Sequence, residues 1–183
     1  MRCAALGALM VFLVVAPATA APASEITPTS IAGARLGLHA DAYKRLFGNP
    51  ARKDVLRFPK NYWRLVFTKR RVAVFFNRPS GTAVEIATWN KNDKTAVGIA
   101  TCSTITRLKA AYGSKLKRDE PNTVGNPPRI YAYTVGRLIF AATGRDPKPG
   151  PSKHVTAIAL YAGPLNLAGF LALQFDTSAL RCT

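Results

Sequence analysis

The stretch from Gly33 to Gly48, GARLGLHADAYKRLFG, recurs in diverged form from Gly98 to Gly113 as GIATCSTITRLKAAYG, with the terminal glycines superposing without a gap. Between them Ala40, Tyr43, Leu46 and Phe47 match Ile105, Leu108, Ala111 and Tyr112, a spacing that lines one face of a helix with apolar side chains. Ser103 or Thr104 is placed to cap the second helix with a hydroxyl. Gly48 and Gly113 stand where a chain leaves a helix through positive φ.

The match continues downstream. WRLVFTKRRVAVFF (Trp63 to Phe76) aligns with RIYAYTVGRLIFAA (Arg129 to Ala142), each holding two β-rich runs about a short turn, Lys69-Arg70 in one and Val135-Gly136 in the other. A third run follows each hairpin, Thr82 to Trp89 and His154 to Tyr161, the latter after a longer Pro-rich loop. The predicted class is therefore α+β: two tandem helix-strand-strand-strand repeats, residues 31–90 and 96–163, joined by a polar stretch, forming an antiparallel sheet with both helices on one face. One unit alone is too small to bury much of a core, and two can share one. The tail, 164–183, lies outside the repeat. Its Phe170, Leu171, Leu173 and Phe175 suit a short strand or a helix equally.

Strand alternation then divides the sheet into two faces. Phe67 opposite Val72, Leu65 opposite Val74 and Trp63 opposite Phe76 make an apolar face to cover the helices, with Val84 and Ile86 joining from the third strand. Tyr131, Tyr133, Leu138 and Phe140 do the same in the second repeat. The other face carries Tyr62, Arg64, Arg71, Phe75, Trp89 and Arg137, together with Glu85 and Tyr161. Arginine with aromatics is the composition of energetic centres in protein interfaces. It is equally the composition of a water-facing sheet whose aromatics lie under long basic side chains. The six residues are the candidate binding surface.

The start of the chain has a basic residue at Arg2, an apolar run from Ala4 to Val15 and an Ala18-Thr19-Ala20 cleavage pattern, so residues 1–20 are expected to be a signal peptide. Residues 21–30 are expected to be a flexible leader. No later stretch is long and apolar enough for a transmembrane segment. Export to a periplasmic, envelope or extracellular location passes through an oxidising compartment, and Cys102 and Cys182 are expected to form a disulfide closing a loop of about 80 residues.

The segment Ile31 to Pro50, IAGARLGLHADAYKRLFGNP, followed by Tyr62-Trp63 and a Val-Phe strand, resembles the SmpA/OmlA-type unit, and its tandem arrangement behind a signal resembles the beta-lactamase inhibitory protein (BLIP) family. The resemblance covers about Ile31 to Gly163. It implies two α+β units forming one curved sheet whose concave face binds another protein. The chain departs from SmpA/OmlA proteins in lacking a lipid-bearing cysteine, and from BLIP-type units in having one cysteine pair for both repeats.

With 26 Lys and Arg against 9 Asp and Glu, the formal charge is +17, which favours polyanionic partners without specifying a fold. The densest cluster is Arg52, Lys53, Arg57, Lys60, Lys69, Arg70 and Arg71. Catalytic and metal-binding candidates are few. His39 and His154 stand apart, Asp119-Glu120 point opposite ways on an extended chain, and consecutive Ser152, Lys153 and His154 do not converge. Asp41 and Glu85 read as solvated partners of nearby bases. No catalytic residue, metal site or cofactor is expected, and no specific nucleic-acid partner. The expected function is a non-catalytic, exported binding protein that engages an acidic protein through the basic, aromatic sheet face. The alternative is attachment to an anionic envelope polymer through charge alone, and an enzyme acting on wall material ranks third.

Overall fold

The computed structural model describes residues 25–56, 61–119, 130–143, 153–163 and 182. The expected signal peptide and nearly all of the tail lie outside these residues. Three two-residue strands come first: β1 (Glu25–Ile26), β2 (Ser30–Ile31) and β3 (Ala34–Arg35). Helix α1 (Ala40–Phe47) leads into β4 (Arg52–Val55), β5 (Tyr62–Phe67), β6 (Val72–Asn77) and β7 (Ala83–Thr88). After β8 (Lys94–Thr95), helix α2 (Ile105–Tyr112) leads into β9 (Lys117–Asp119), β10 (Ile130–Val135), β11 (Leu138–Thr143) and β12 (Ala157–Tyr161).

The main sheet has eight strands in the order β4-β5-β6-β7-β12-β11-β10-β9, all neighbours antiparallel. A small sheet, β3-β2-β1-β8, is separate from it. The class is α+β with two helices. The third strands of the two halves, β7 and β12, pair at the centre of the sheet, Glu85 opposite Tyr161 and Thr88 opposite Ile158. The outermost strands are short and charged, which discourages edge-to-edge pairing with other chains. Both have a cation over an aromatic of the next strand: Lys53 Nζ lies 4.9 Å from the Trp63 ring centroid, and the Arg118 guanidinium 5.1 Å from that of Tyr131.

The hairpin registers follow the expected pairs, Trp63 with Phe76, Leu65 with Val74 and Phe67 with Val72. The turn at Lys69-Arg70 closes with the Arg71 amide donating to the Thr68 carbonyl at 3.2 Å, and Arg71 takes φ 55°. In the second hairpin Val135 pairs with Leu138, so the turn residues are Gly136 and Arg137, one step later than expected, with Gly136 supplying φ 58°.

The core lies between this sheet and the two helices. Tyr43 of α1, Ile105 and Leu108 of α2, Leu65, Phe67, Val72, Val74, Phe76 and Ile86 of the first half, and Tyr131, Tyr133, Leu138 and Phe140 of the second form one buried cluster. Both helices therefore serve one face. Thr104 caps α2, its hydroxyl accepting from the Arg107 amide at 3.1 Å. His39 holds the same position in α1 with no side-chain cap. The apolar stripe is narrower than the sequence spacing suggests, because Leu46 is 44% exposed and Ala111 is exposed too.

The polar joint after β7 is ordered, with the buried Asp93 accepting from the Thr88 hydroxyl and the Asn90 side-chain amide. Three expectations need correction. The leader is not wholly unstructured: Ile26 is buried in β1, which pairs with β2 and, in parallel, with β8, because an isolated apolar residue among polar ones finds its core contact there. Each helix is followed by four strands rather than three. Finally, Val84 does not point toward the helices. The register slips between Phe75 and Phe76, so that Phe75 pairs with Glu85 and Phe76 with Ala83, and the bulge turns Val84 to the opposite side.

Candidate functional site

The expected binding face is the face that departs most from expectation. Phe75 is 0% exposed and packs with Leu56, Val66, Ala73, Ala87, Ala132, Ile139, Ala159 and Tyr161 in a second buried cluster, bordered by Tyr62, Val84 and Trp89. Arg64 is tied down within the fold: its side chain is 11% exposed, and its Nε donates to Asp54 Oδ2 at 2.8 Å. The central strands of the sheet, β6, β7, β11 and β12, are buried on both sides. Of the six candidates Arg71 and Arg137 alone are exposed, and they lie apart. Arg71 sits beside the end of β7, its carbonyl accepting from the Trp89 amide. Arg137 sits at the other end of the sheet, its Nε donating to the Tyr161 carbonyl at 3.2 Å. Tyr62, Arg64, Arg71, Phe75, Trp89 and Arg137 therefore do not form one open surface.

Glu85 is corrected as well. The sequence suggests a solvated partner for a base, yet Glu85 is 0% exposed, and among the described residues neither carboxyl oxygen has a hydrogen-bond partner. Phe75 and Tyr161 flank it in register on the adjoining strands. Burial pushes its carboxyl well above the usual carboxylate range. Burial likewise raises the Tyr161 phenol, with Tyr62 and Glu85 adding to the effect. These are signs of two-sided burial and give no general base, since nothing reaches the group from solvent.

A different set of residues comes together at one corner. The end of α1, the loop after it and the β5–β6 turn enclose a cleft of about 410 Å³ lined by Phe47, Gly48, Asn49, Ala51, Phe67, Thr68 and Lys69. Gly48 takes φ 85° and its amide closes the helix on the Lys44 carbonyl at 2.8 Å. The Ala51 amide donates to the Val66 carbonyl at 2.8 Å, fixing the returning chain against β5. Phe47 and the buried Phe67 pack with ring centroids 5.2 Å apart at 56°, and Phe47 is left half-buried at the cleft. Asn49, Thr68 and Lys69 are exposed on the walls.

The corner is strongly cationic. Lys69, Arg70 and Arg71 form the turn, Lys44 and Arg45 the last turn of α1, and Arg52 the start of β4, all exposed. Nearby carboxylates are few and already engaged: Asp41 binds Lys44 at 2.9 Å, and Asp54 is shared by Arg52 and Arg64. Lys44 draws the Asp41 carboxyl below its ordinary value. Arg52, Lys69, Arg70 and Arg71 were visible in the sequence as a charge cluster; Arg57 and Lys60 of that cluster lie outside the described residues. Phe47, Asn49 and Thr68 were missed as lining residues. Phe47 read as helix core, and nothing in the sequence brings Thr68 against Asn49.

Cys102 and Cys182 are bonded, with Cα atoms 5.2 Å apart. His39 Nδ1 lies 3.2 Å from the Gly81 carbonyl, and His154 forms an isolated bridge with Thr104. Ser152 and Glu120 lie outside the described residues. Among the described residues no three His, Cys, Asp or Glu side chains gather as a metal site would require, and no helix is long and apolar enough to cross a membrane.

No protein-family model matches the chain, and no curated protein matches it. Among solved structures it is similar to the uncharacterized protein yfeY from Escherichia coli, at 11% identity and a TM-score of 0.47, over 69% of this chain and 90% of that one.

Proposed function

We propose that the chain is an exported, non-catalytic binding protein that attaches to an anionic envelope polymer through the cationic corner around the β5–β6 turn. The carrying observation is charge sequestration. Asp41, Asp54, Glu85 and Asp93 are ion-paired, hydrogen-bonded or buried, while Lys69, Arg70 and Arg71 are exposed on the turn beside a cleft. Engagement of an acidic protein by the sheet face loses its support, because Arg64 and Phe75 are withdrawn from water. Export is supported by the signal-like start and by the Cys102–Cys182 bond, which suits an oxidising compartment.

The reading of the fold as a tandem duplication of SmpA/OmlA-like, BLIP-like units belongs to the same proposal, and matching hydrogen bonds support it. The Gly37 amide donates to the Ala83 carbonyl at 2.8 Å, and the Cys102 amide to the Val155 carbonyl at 2.8 Å. His39 bridges Thr82 as Thr104 bridges His154. Gly33, Gly37 and Gly48 have positive φ, as do Gly98, Cys102 and Gly113 at the matched positions. The sheet-face mode of binding that the resemblance implies is not carried over.

The test is retention of the full, disulfide-bonded chain on immobilised polyuronate and poly-aspartate, with neutral dextran as control, across a salt series. Binding to both polyanions should weaken steeply as salt screens the contacts. Lys69→Glu with Arg70→Glu should lower affinity about tenfold or more through reversed local charge. Salt-insensitive retention, or an unaltered double variant, would refute the assignment.

A further inference from the structure

The cleft at the cationic corner has a chemistry that charge alone does not need. Its lining includes the half-buried Phe47, which packs on the buried Phe67. Two of its wall side chains, the Asn49 amide and the Thr68 hydroxyl, each both donate and accept hydrogen bonds. One wall residue, Lys69, is a cation. At about 410 Å³ the cleft falls within the range of small-molecule sites, roughly 300–1,000 Å³. A sulfate or phosphodiester presents acceptors only, so it would call for donors and would leave the acceptor oxygens of Asn49 and Thr68 without use. An acidic peptide would present carboxylates on flexible stems and gain little from Phe47. A sugar ring bearing a carboxylate answers every part of the lining: an apolar ring face for Phe47, hydroxyls that donate and accept for Asn49 and Thr68, and an acid for Lys69.

We infer that the cleft holds one uronic-acid-type unit of an anionic glycan, and that the surrounding cations bind neighbouring acidic units of the same polymer. This rests on the polyanion-binding reading above and adds a choice of polymer to it. The backbone around the cleft is held in place by the Gly48 and Ala51 hydrogen bonds, so little of the site must be ordered on binding.

The experiment compares a polyuronate oligomer with a poly-aspartate oligomer of equal charge and length, at one salt concentration, against the full disulfide-bonded chain. The wild type should prefer the polyuronate. Asn49→Leu with Thr68→Val preserves every charge and alters only exposed side chains, so a thermal melt should match the wild type. This variant should lose about tenfold in polyuronate affinity, the worth of two ordinary hydrogen bonds, with poly-aspartate affinity and the salt slope unchanged. Equal binding of the two oligomers by the wild type, or an undiminished preference in the variant, overturns the saccharide assignment while leaving polyanion binding intact. Failure of both oligomers to bind overturns the parent reading, and the saccharide assignment with it.

Discussion

Replacing Glu85 should make the protein more stable, and increasingly so as pH rises. The carboxyl lies on β7 between Phe75 and Tyr161, fully buried, with both oxygens unbonded among the described residues. The guanidinium of Arg64, one strand beyond Phe75, is hydrogen-bonded to Asp54. Even as a neutral acid, a buried polar group without a partner costs about 1–3 kcal/mol. Ionisation adds a second cost. The unfolded chain loses the proton near the ordinary value of 4.5, whereas burial holds the proton on the folded protein to well above it. Between those two values the folded state binds more protons than the unfolded one, so stability falls as pH rises, with a slope approaching about 1.4 kcal/mol per pH unit. Below 4.5 both states are protonated and the linkage vanishes. Glu85→Met fills similar volume without polar atoms and should gain about 1–3 kcal/mol at pH 4.5, a gain that widens as pH rises above that value. Glu85→Gln retains the polar atoms but cannot ionise, and should abolish the widening without the first gain. Urea midpoints of the three proteins from pH 4 to 8 measure this. A wild-type-minus-Met difference that is flat across that range, or a destabilised Met variant, would refute the reasoning.

Two further outcomes follow from the backbone. Arg71→Gly should raise stability by about 1 kcal/mol, since φ 55° costs an arginine what it does not cost glycine, and should at the same time weaken polyanion binding by removing a cation; thermal melts and salt-series retention on one sample check both. Replacing Cys182 by serine should cost about 4–5 kcal/mol on chain-entropy grounds, because its bond to Cys102 spans 80 residues, and chemical denaturation with and without reductant should show wild type converging on the variant only when reduced.

What could be read from the sequence was set by how local the signal was. The helices, their C-terminal glycines, the hairpin of β5 and β6 and the helix-side core depend on short-range periodicity, and they appear where Tyr43, Leu108, Leu65 and Phe140 place them. The cysteine pair followed from counting. The error concerned burial of the second face. VAVFF in β6, LIFAA in β11 and AIALY in β12 are continuous apolar runs, the pattern of strands covered on both sides, and reading them as alternating gave the arginines undue weight. Arg64 among these residues is retained by its carboxylate partner, a pairing with Asp54 that crosses from β5 to β4. β4 and β9, RKDV and KRD, have no strand propensity to speak of and become strands because each completes a sheet edge. The cleft was illegible for the same reason: Asn49 and Thr68 meet only after α1 docks on the sheet.

The two departures from expectation are connected. A sheet whose central strands are buried on both faces cannot present them to a partner, so recognition is displaced to the turns and helix ends that border it. Those borders are where the charges lie. Asp54 is occupied at the sheet edge, Glu85 is enclosed within the sheet and Asp93 is enclosed by the turn after β7, while Lys69 and Arg70 occupy a turn with no carboxylate among the cleft-lining residues. Among the described residues, folding therefore leaves no free carboxylate beside Lys69 and Arg70, so the positive potential of that turn is not offset locally. It also gives that potential a shaped focus. The β5–β6 turn is fixed by the Arg71–Thr68 hydrogen bond, with a positive φ at Arg71, so Lys69 lines the cleft from a rigid support. The physical coupling of Phe47, the wall residues and the cations is what separates a binding corner from a merely basic surface, and the charge-preserving Asn49 and Thr68 substitutions act on that coupling alone.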